Sequence, residues 1–406
     1  MELDKIARKI IEKHRLEGNY DAFCISNLEE VKLSFNHWIE KFPRINPYYS
    51  VRSNNNEEIL KLLRDLGVGF NCGSKNETLQ VLDLNVDPKR VICSHTVKEV
   101  SFIKLLAEKG VDILTFDSIT ELKKIKKHHP KAKVLLRIKF DATDSIISLG
   151  TKFGCNPETE ASYLIKSCKE LKINLIGIAF HVGLVLTDHG VYERALNAVR
   201  ILFDYAESLD MKLKFVDIGG GFIGRDPLIF DNYAKSINDG IERLFPSTEI
   251  QIIAEPGRYF VESAFSLAAQ VILKRNFEDG HAYYYLNDSM FSSFLINFLF
   301  NIQLQFSVIR KSKLKHKPKE MMSTIWGSST NPLDKIIGDK IIPEMEIGDW
   351  MIFHNMGAYT FSSTEFCRLS SKNIYQIDNF EPQYEDTRSL SNIMSSMRRS
   401  LFKKRI

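Results

Sequence analysis

An alternation constrains this chain more than any single motif. Short runs rich in β-branched and aromatic residues recur at 48–51, 68–72, 90–94, 113–116, 134–138, 175–182, 215–218 and 252–255, separated by polar segments of helical periodicity such as 57–66 and 97–109. Strand-length runs that each lead into a helix read as parallel crossover units, and eight of them read as a (β/α)8 barrel. An open doubly wound sheet is the competing arrangement on pattern alone. The polar residues favour the barrel. Arg52, Asn71, Ser94, His95, Asp117, Arg137, His181, Gly219-Gly220-Gly221 and Glu255-Pro256-Gly257-Arg258 all fall at or just after the C-terminal ends of these runs, the end at which barrels do their chemistry.

The alternation starts after a helical segment at 28–42, closed by Pro43, and stops near residue 264. Alternating apolar runs at 269–273, 283–286 and 350–353 then lie between Gly, Asn, Asp and Pro turns, as in an antiparallel β domain. Residues 1–27 mix an amphipathic stretch (Ile6, Ile10, Ile11) with the strand-like Phe23-Cys24-Ile25. The expected organisation is a barrel over 28–264, a β domain from 1–27 and 265–380, and a basic tail at 381–406. Such a length suits one domain of about 250 residues and a second of about 100. The stretch 311–319 reads as an exposed charged loop. In the tail, Leu390, Ile393, Met394, Met397 and Leu401 share one helical stripe, which fits either a docking helix or a packed terminal one.

Five basic residues (Arg398, Arg399, Lys403, Lys404, Arg405) stand among the last nine; subtracting them from the net +4 leaves −1. A nearly neutral body argues against a nucleic-acid footprint. Six scattered cysteines without C-x-x-C spacing read as free thiols rather than a disulfide framework or a metal site. The N-terminus has no basic-then-apolar signal pattern, and no run approaches the ~18 apolar residues of a membrane span. The expectation is a cytoplasmic protein with neither metal nor transmembrane segment.

Two loops carry a ligand-binding signal. In Asp217-Ile218-Gly219-Gly220-Gly221-Phe222 the glycines let backbone amides approach a phosphate, although a tight turn alone accounts for them too. In Glu255-Pro256-Gly257-Arg258-Tyr259 the acid can pair with a protonated pyridine nitrogen and the guanidinium can clamp phosphate oxygens. The loops follow the seventh and eighth strand-like runs, where barrels commonly hold phosphate.

Taken with Pro47-Tyr48-Tyr49-Ser50-Val51, Phe70-Asn71-Cys72-Gly73-Ser74-Lys75, Thr115-Phe116-Asp117-Ser118, His129-Pro130-Lys131-Ala132-Lys133, Phe180-His181-Val182-Gly183 and Asn355-Met356-Gly357-Ala358-Tyr359-Thr360, the chain resembles the eukaryotic ornithine decarboxylase family. The resemblance covers essentially residues 20–375. It implies an alanine-racemase-like barrel with a β domain that the N-terminal strand joins, and a pyridoxal-phosphate pocket. It assigns His181 to stacking on the pyridine ring, and Gly219, Gly220, Gly221, Glu255, Arg258 and Tyr359 to the remaining cofactor shell, with Arg137 also retained.

The departures fall on the working positions. Arg52 stands where the family has its Schiff-base lysine, and a guanidinium is not an amine that forms an imine by ordinary exchange. Thr330 and Asn331 replace the family's cysteine and aspartate, and Phe300 aligns, more loosely, with a second substrate-binding acid. Leu184 replaces a phosphate-binding serine and Asn71 an aspartate. The resemblance therefore implies a pseudoenzyme with no covalently bound cofactor, leaving room only for weak noncovalent pyridoxal phosphate.

Inactive relatives act as antizyme inhibitors: they bind antizyme and so release active ornithine decarboxylase. The family's antizyme-binding element matches residues 101–137, where Lys123, Lys124, Lys126, Lys127, Lys131 and Lys133 offer a basic face to an acidic partner. A solvated helix face is the plain alternative. An ornithine decarboxylase paralogue is the second implied partner, because family sites form across a dimer. A mixed dimer would lack lysine at one site and thiol and acid at the other. Residual or altered decarboxylation is the remaining reading.

Overall fold

The computed structural model describes residues 2–360 except 144, 146–147, 185–187, 189, 225–226, 301 and 313–315. The C-terminal tail and its apolar stripe lie outside the described residues, as do parts of the 311–319 stretch. Fifteen strands are present among the described residues. After β1 (Phe23–Ser26) come β2 (Ile45–Ser50), β3 (Gly69–Asn71), β4 (Val91–Cys93), β5 (Ile113–Phe116), β6 (Lys133–Lys139), β7 (Asn174–His181), β8 (Phe215–Asp217) and β9 (Gln251–Ala254). These eight close in chain order as a parallel barrel, and β9 returns to β2 through the pairs Ile45↔Ile252 and Pro47↔Ala254. All eight coincide, within three residues at either end, with the apolar runs of the sequence.

Eleven helices accompany them: α1 (Glu2–Leu16), α2 (Leu28–Lys41), α3 (Glu57–Asp65), α4 (Lys75–Asp83), α5 (Val100–Lys109), α6 (Ile119–His128), α7 (Ala161–Glu170), α8 (Val191–Ser208), α9 (Pro227–Leu244), α10 (Arg258–Val261) and α11 (Leu295–Leu299). Their starts follow local chemistry. Ser74 and Ser118 accept from the N–H of Glu77 and Glu121 three residues on, and the Glu77 carboxylate also accepts from Gly73 N–H at 2.7 Å. This is the serine-to-glutamate capping arrangement that relieves unpaired first-turn amides. Inside the barrel, Tyr48, Ile92, Leu135, Ala179, Phe215 and Ile253 make one apolar cluster, while the opposite strand faces pack on the surrounding helices.

The second sheet runs β12 (Phe306–Ile309), β15 (Trp350–Phe353), β10 (Phe265–Asn276), β11 (Ala282–Leu286), β13 (Glu320–Trp326), β14 (Lys335–Pro343), with β1 also paired to β10. It is mixed rather than wholly antiparallel, because β11 and β13 pair in parallel from Ala282↔Ser323 to Tyr285↔Trp326. Alternation within a strand reveals which side is buried but not the direction of its neighbour. Its core holds Leu267, Val271, Tyr284, Ile325, Met351 and Phe353. The five described cysteines are free. Among the described residues no helix is long and apolar enough to cross a membrane, and no group of three His, Cys, Asp or Glu is placed to hold a metal ion.

Candidate functional site at the barrel mouth

Barrel register sets the mouth. β2 lies beside β9, and the chain leaving β2 is fixed to the chain leaving β9: Ser50 N–H donates to Pro256 O (3.0 Å) and Ser50 Oγ to Glu255 O (3.1 Å). The next residues, Val51–Ser53, form a single 3-10 turn that carries Arg52. Ser53 Oγ donates back to Ser50 O (2.8 Å), and Tyr359 N–H donates to Ser53 O (2.8 Å). Asn54 Nδ2 reaches Gly357 O at 2.9 Å. The turn bearing Arg52 is thus held on one side by the eighth barrel loop and on the other by the segment after β15. Burial works against the guanidinium, but Tyr359, Glu255 and Glu77 around it outweigh that and raise its pKa.

Across the mouth, His181 ends β7. Its Nδ1 accepts from Gly183 N–H at 3.0 Å, so in the neutral ring the proton sits on Nε2. Burial first, then Arg137 and Arg52, push its pKa well below the ordinary histidine value. His95 behaves likewise. Its Nδ1 accepts from Val97 N–H (2.9 Å), and burial together with Lys98 lowers it to about 4. The mouth therefore presents two neutral imidazoles. Arg137, over the Phe153 ring at 5.1 Å, is pulled down by burial and partly held up by Glu255.

The glycine loop follows β8. Asp217 Oδ1 accepts from Gly219 N–H (2.9 Å), and Gly219 O accepts from Glu255 N–H (2.7 Å). A Cβ on Gly221, whose φ is +98°, would collide with the carbonyl of Gly183; one on Gly220 would press on Glu255 O and the His181 ring. Close packing of three loops is reason enough for these glycines, and it leaves their backbone beside His181 and Glu255. Asp217, 1% exposed, faces the Glu255 carboxylate. Burial and that neighbour raise the Asp217 pKa well above the usual carboxylate range, so Asp217 holds its proton more tightly than an exposed carboxyl does.

Asn71, fully buried, accepts from Ser94 Oγ (2.5 Å) and donates to Ser50 Oγ (3.4 Å), a closed polar chain under the mouth. Arg258 is not an unclaimed phosphate clamp: its Nη1 is 2.7 Å from Glu262 Oε1, and its guanidinium lies 5.5 Å from the centre of the Tyr359 ring. Leu184, half-buried, sits just past Gly183. Thr330 and Asn331 lie on an exposed turn after β13, where Asn331 Oδ1 accepts from Leu333 N–H (2.9 Å) and so makes its own turn. Phe300, half-buried, closes α11. Within one chain the structure gathers Arg52, His181, Glu255, Tyr359 and the glycine loop, while Thr330 and Asn331 stay on their own turn in the second sheet.

The basic face around α6 is smaller than its composition. Lys124 Nζ pairs with buried Glu121 at 2.6 Å, and Lys126 Nζ donates to Lys172 O at 2.8 Å. Lys123, Lys127, Lys131 and Lys133 are the exposed ones. Three contributors escaped the sequence reading: Glu77, Glu262 and the ion pair of Lys98 with Glu121, 2.9 Å long and fully buried at the lysine. The spacing Ser74-x-x-Glu77 and the i,i+4 relation of Arg258 to Glu262 were available signals.

Against known proteins, residues 28–262 match the family model described as pyridoxal-dependent decarboxylase, pyridoxal binding domain. Rat ornithine decarboxylase is 37% identical over 374 residues, covering 88% of this chain and 80% of that protein. This chain belongs to the ornithine decarboxylase family. Antizyme inhibitor 2 of Xenopus laevis is 36% identical, with 88% and 81% covered. The agmatine-bound arginine decarboxylase of Paramecium bursaria Chlorella virus superposes with a TM-score of 0.84 at 35% identity, covering 88% and 95% of the two chains. The fold of this ornithine decarboxylase family member is accordingly a pyridoxal-dependent decarboxylase barrel joined to a β domain, and the family includes both enzymes and an antizyme inhibitor.

Proposed function

We propose that this chain is a catalytically silent member of the ornithine decarboxylase family that binds antizyme and thereby releases active ornithine decarboxylase. The observation that carries the reading is Arg52, seated on the clamped turn beside Glu255 at the place where the resemblance puts the imine-forming lysine. A guanidinium stays protonated and supplies no nucleophilic amine. The residues at the mouth do not fit a covalently held pyridoxal phosphate. Arg258 is paired within the chain, Leu184 offers no donor, and Asn71 is taken up by Ser50 and Ser94. The likeness to an antizyme inhibitor at 36% identity supports the regulatory role, and the exposed lysines around α6 supply a surface for an acidic partner.

The test is a competition. The chain is added to a preformed complex of antizyme and an active ornithine decarboxylase, and decarboxylase activity is followed. Recovery in proportion to added chain, with no activity from the chain alone, is the expected result. Activity from the chain alone would show that Arg52 does not silence it. No recovery, together with lost activity on mixing with free decarboxylase, would redirect the assignment to an inhibitory mixed dimer.

A further inference from the structure

Arg258 opens α10, the one-turn helix after the eighth barrel strand, and Glu262 follows four residues later. Residues at that spacing share a helix face, and here they meet as a 2.7 Å ion pair whose side chains are 12% and 3% exposed. The backbone holds Glu262 in place. Its N–H donates to Arg258 O (3.0 Å), and its carbonyl accepts from Gly357 N–H (3.1 Å). Gly357 has no room for a side chain, because a Cβ there would collide with the Val261 carbonyl. The Tyr359 ring lies near the same guanidinium. The pair is built into a narrow cleft that Gln305, His354 and Thr360 also line.

We propose that Glu262 is a built-in anion for the phosphate subsite: its carboxylate holds the guanidinium that would otherwise take a phosphate monoester, and so closes the mouth to phosphate-bearing ligands independently of Arg52. The inference rests on reading the mouth as a former cofactor pocket. A phosphate dianion brought to Arg258 would meet the Glu262 charge in poorly solvated surroundings, where like charges repel strongly. To bind, it would have to displace a carboxylate that is almost wholly screened from bulk water. Arg52 in turn sets a cation beside Glu255, the acid that a pyridinium would otherwise meet. Both charges of such a ligand are thus answered from within the chain.

The experiment is thermal unfolding of the full chain titrated with inorganic phosphate and, in a separate arm, with pyridoxal phosphate. The unmutated protein is expected to show no ligand-dependent rise in Tm. Glu262→Gln is expected to gain one, with a dissociation constant roughly ten- to a hundredfold lower, and to lose it again when Arg258→Gln is added. A response of Glu262→Gln in both arms assigns the effect to the phosphate group; a response to pyridoxal phosphate alone shows that the ring is needed as well. A flat Glu262→Gln titration overturns the proposal, as does a rise in the unmutated chain that Arg258→Gln abolishes. If Glu262→Gln does not fold, Glu262→Ala is refolded with and without phosphate. Rescue by the anion supports the proposal, and failure of rescue overturns it. No arm involves antizyme or decarboxylation, so this inference and the regulatory reading fail separately.

Discussion

Arginine and lysine carry the same charge, yet at position 52 the difference decides which chemistry is open. Lysine can lose its proton and attack a carbonyl, whereas a guanidinium stays charged and acts through hydrogen bonds and field. Arg52 shares the mouth with Glu255 and Glu77, and burial raises the Glu77 pKa while Arg52 opposes the rise. Arg52→Met removes that cation and leaves both acids without its attraction. The expected loss is about 3 kcal/mol, at the lower end for breaking a buried pair because Arg52 keeps some exposure, read from denaturant midpoints. Arg52→Lys keeps the charge and is expected to cost about 1 kcal/mol. It should still release no measurable carbon dioxide from ornithine, since Leu184, Thr330 and Asn331 remain as they are.

At the scale of elements, α6 shows how burial divides a run of like residues. Its inner face carries Glu121, 3% exposed, which accepts from Lys98 N–H (3.2 Å) and pairs with both Lys98 and Lys124. Lys98 Nζ also donates to His95 O (2.8 Å) and Thr115 O (2.7 Å), tying α6 to the loop after β4. The outer lysines are free for long-range attraction and the inner ones are not. Changing Lys123, Lys127, Lys131 and Lys133 together to Glu is expected to slow association with antizyme by about tenfold or more, with the effect fading at high salt. Lys98→Met is expected instead to cost about 3 kcal/mol of stability. Stopped-flow association at two ionic strengths and chemical denaturation separate the two. An unchanged rate in the fourfold variant would remove the basic face from the partner assignment.

For the molecule as a whole, the mouth sets how stability responds to pH. His95 titrates near 4 in the folded chain against 6.5 when unfolded, and His181 is also held well below 6.5. Below pH 6.5 the unfolded chain binds the extra protons, so stability falls on acidification, for His95 between 6.5 and about 4. Asp217 acts in the opposite sense. Its folded pKa lies well above 3.8, so the folded chain keeps a proton that the unfolded chain loses, and stability declines as pH rises above 3.8. Each such group contributes a slope of up to ~1.4 kcal/mol per pH unit. Asp217→Asn should flatten the alkaline decline and His181→Asn the acid limb, as measured by denaturation midpoints across pH.

Periodicity marked all eight barrel strands because an apolar run of strand length is a local property, and the motif residues marked which end of the barrel is the mouth. The glycine loop, His181 and Glu255 were legible because each lies on a strand end or a loop whose course the pattern marks, whereas Tyr359 was reached only through the family resemblance. Strand direction in the second sheet was not legible, since the β11–β13 pairing depends on how the intervening chain is routed. The sequence by itself determined the barrel and the absence of an amine at position 52. Only the tertiary structure decided which charges are already satisfied. Glu262 neutralises Arg258, Glu121 holds Lys124, a carbonyl takes Lys126, and Asp217 meets Glu255. A charge's partner is set by separation and by exclusion of water, and both are fixed when distant segments pack together.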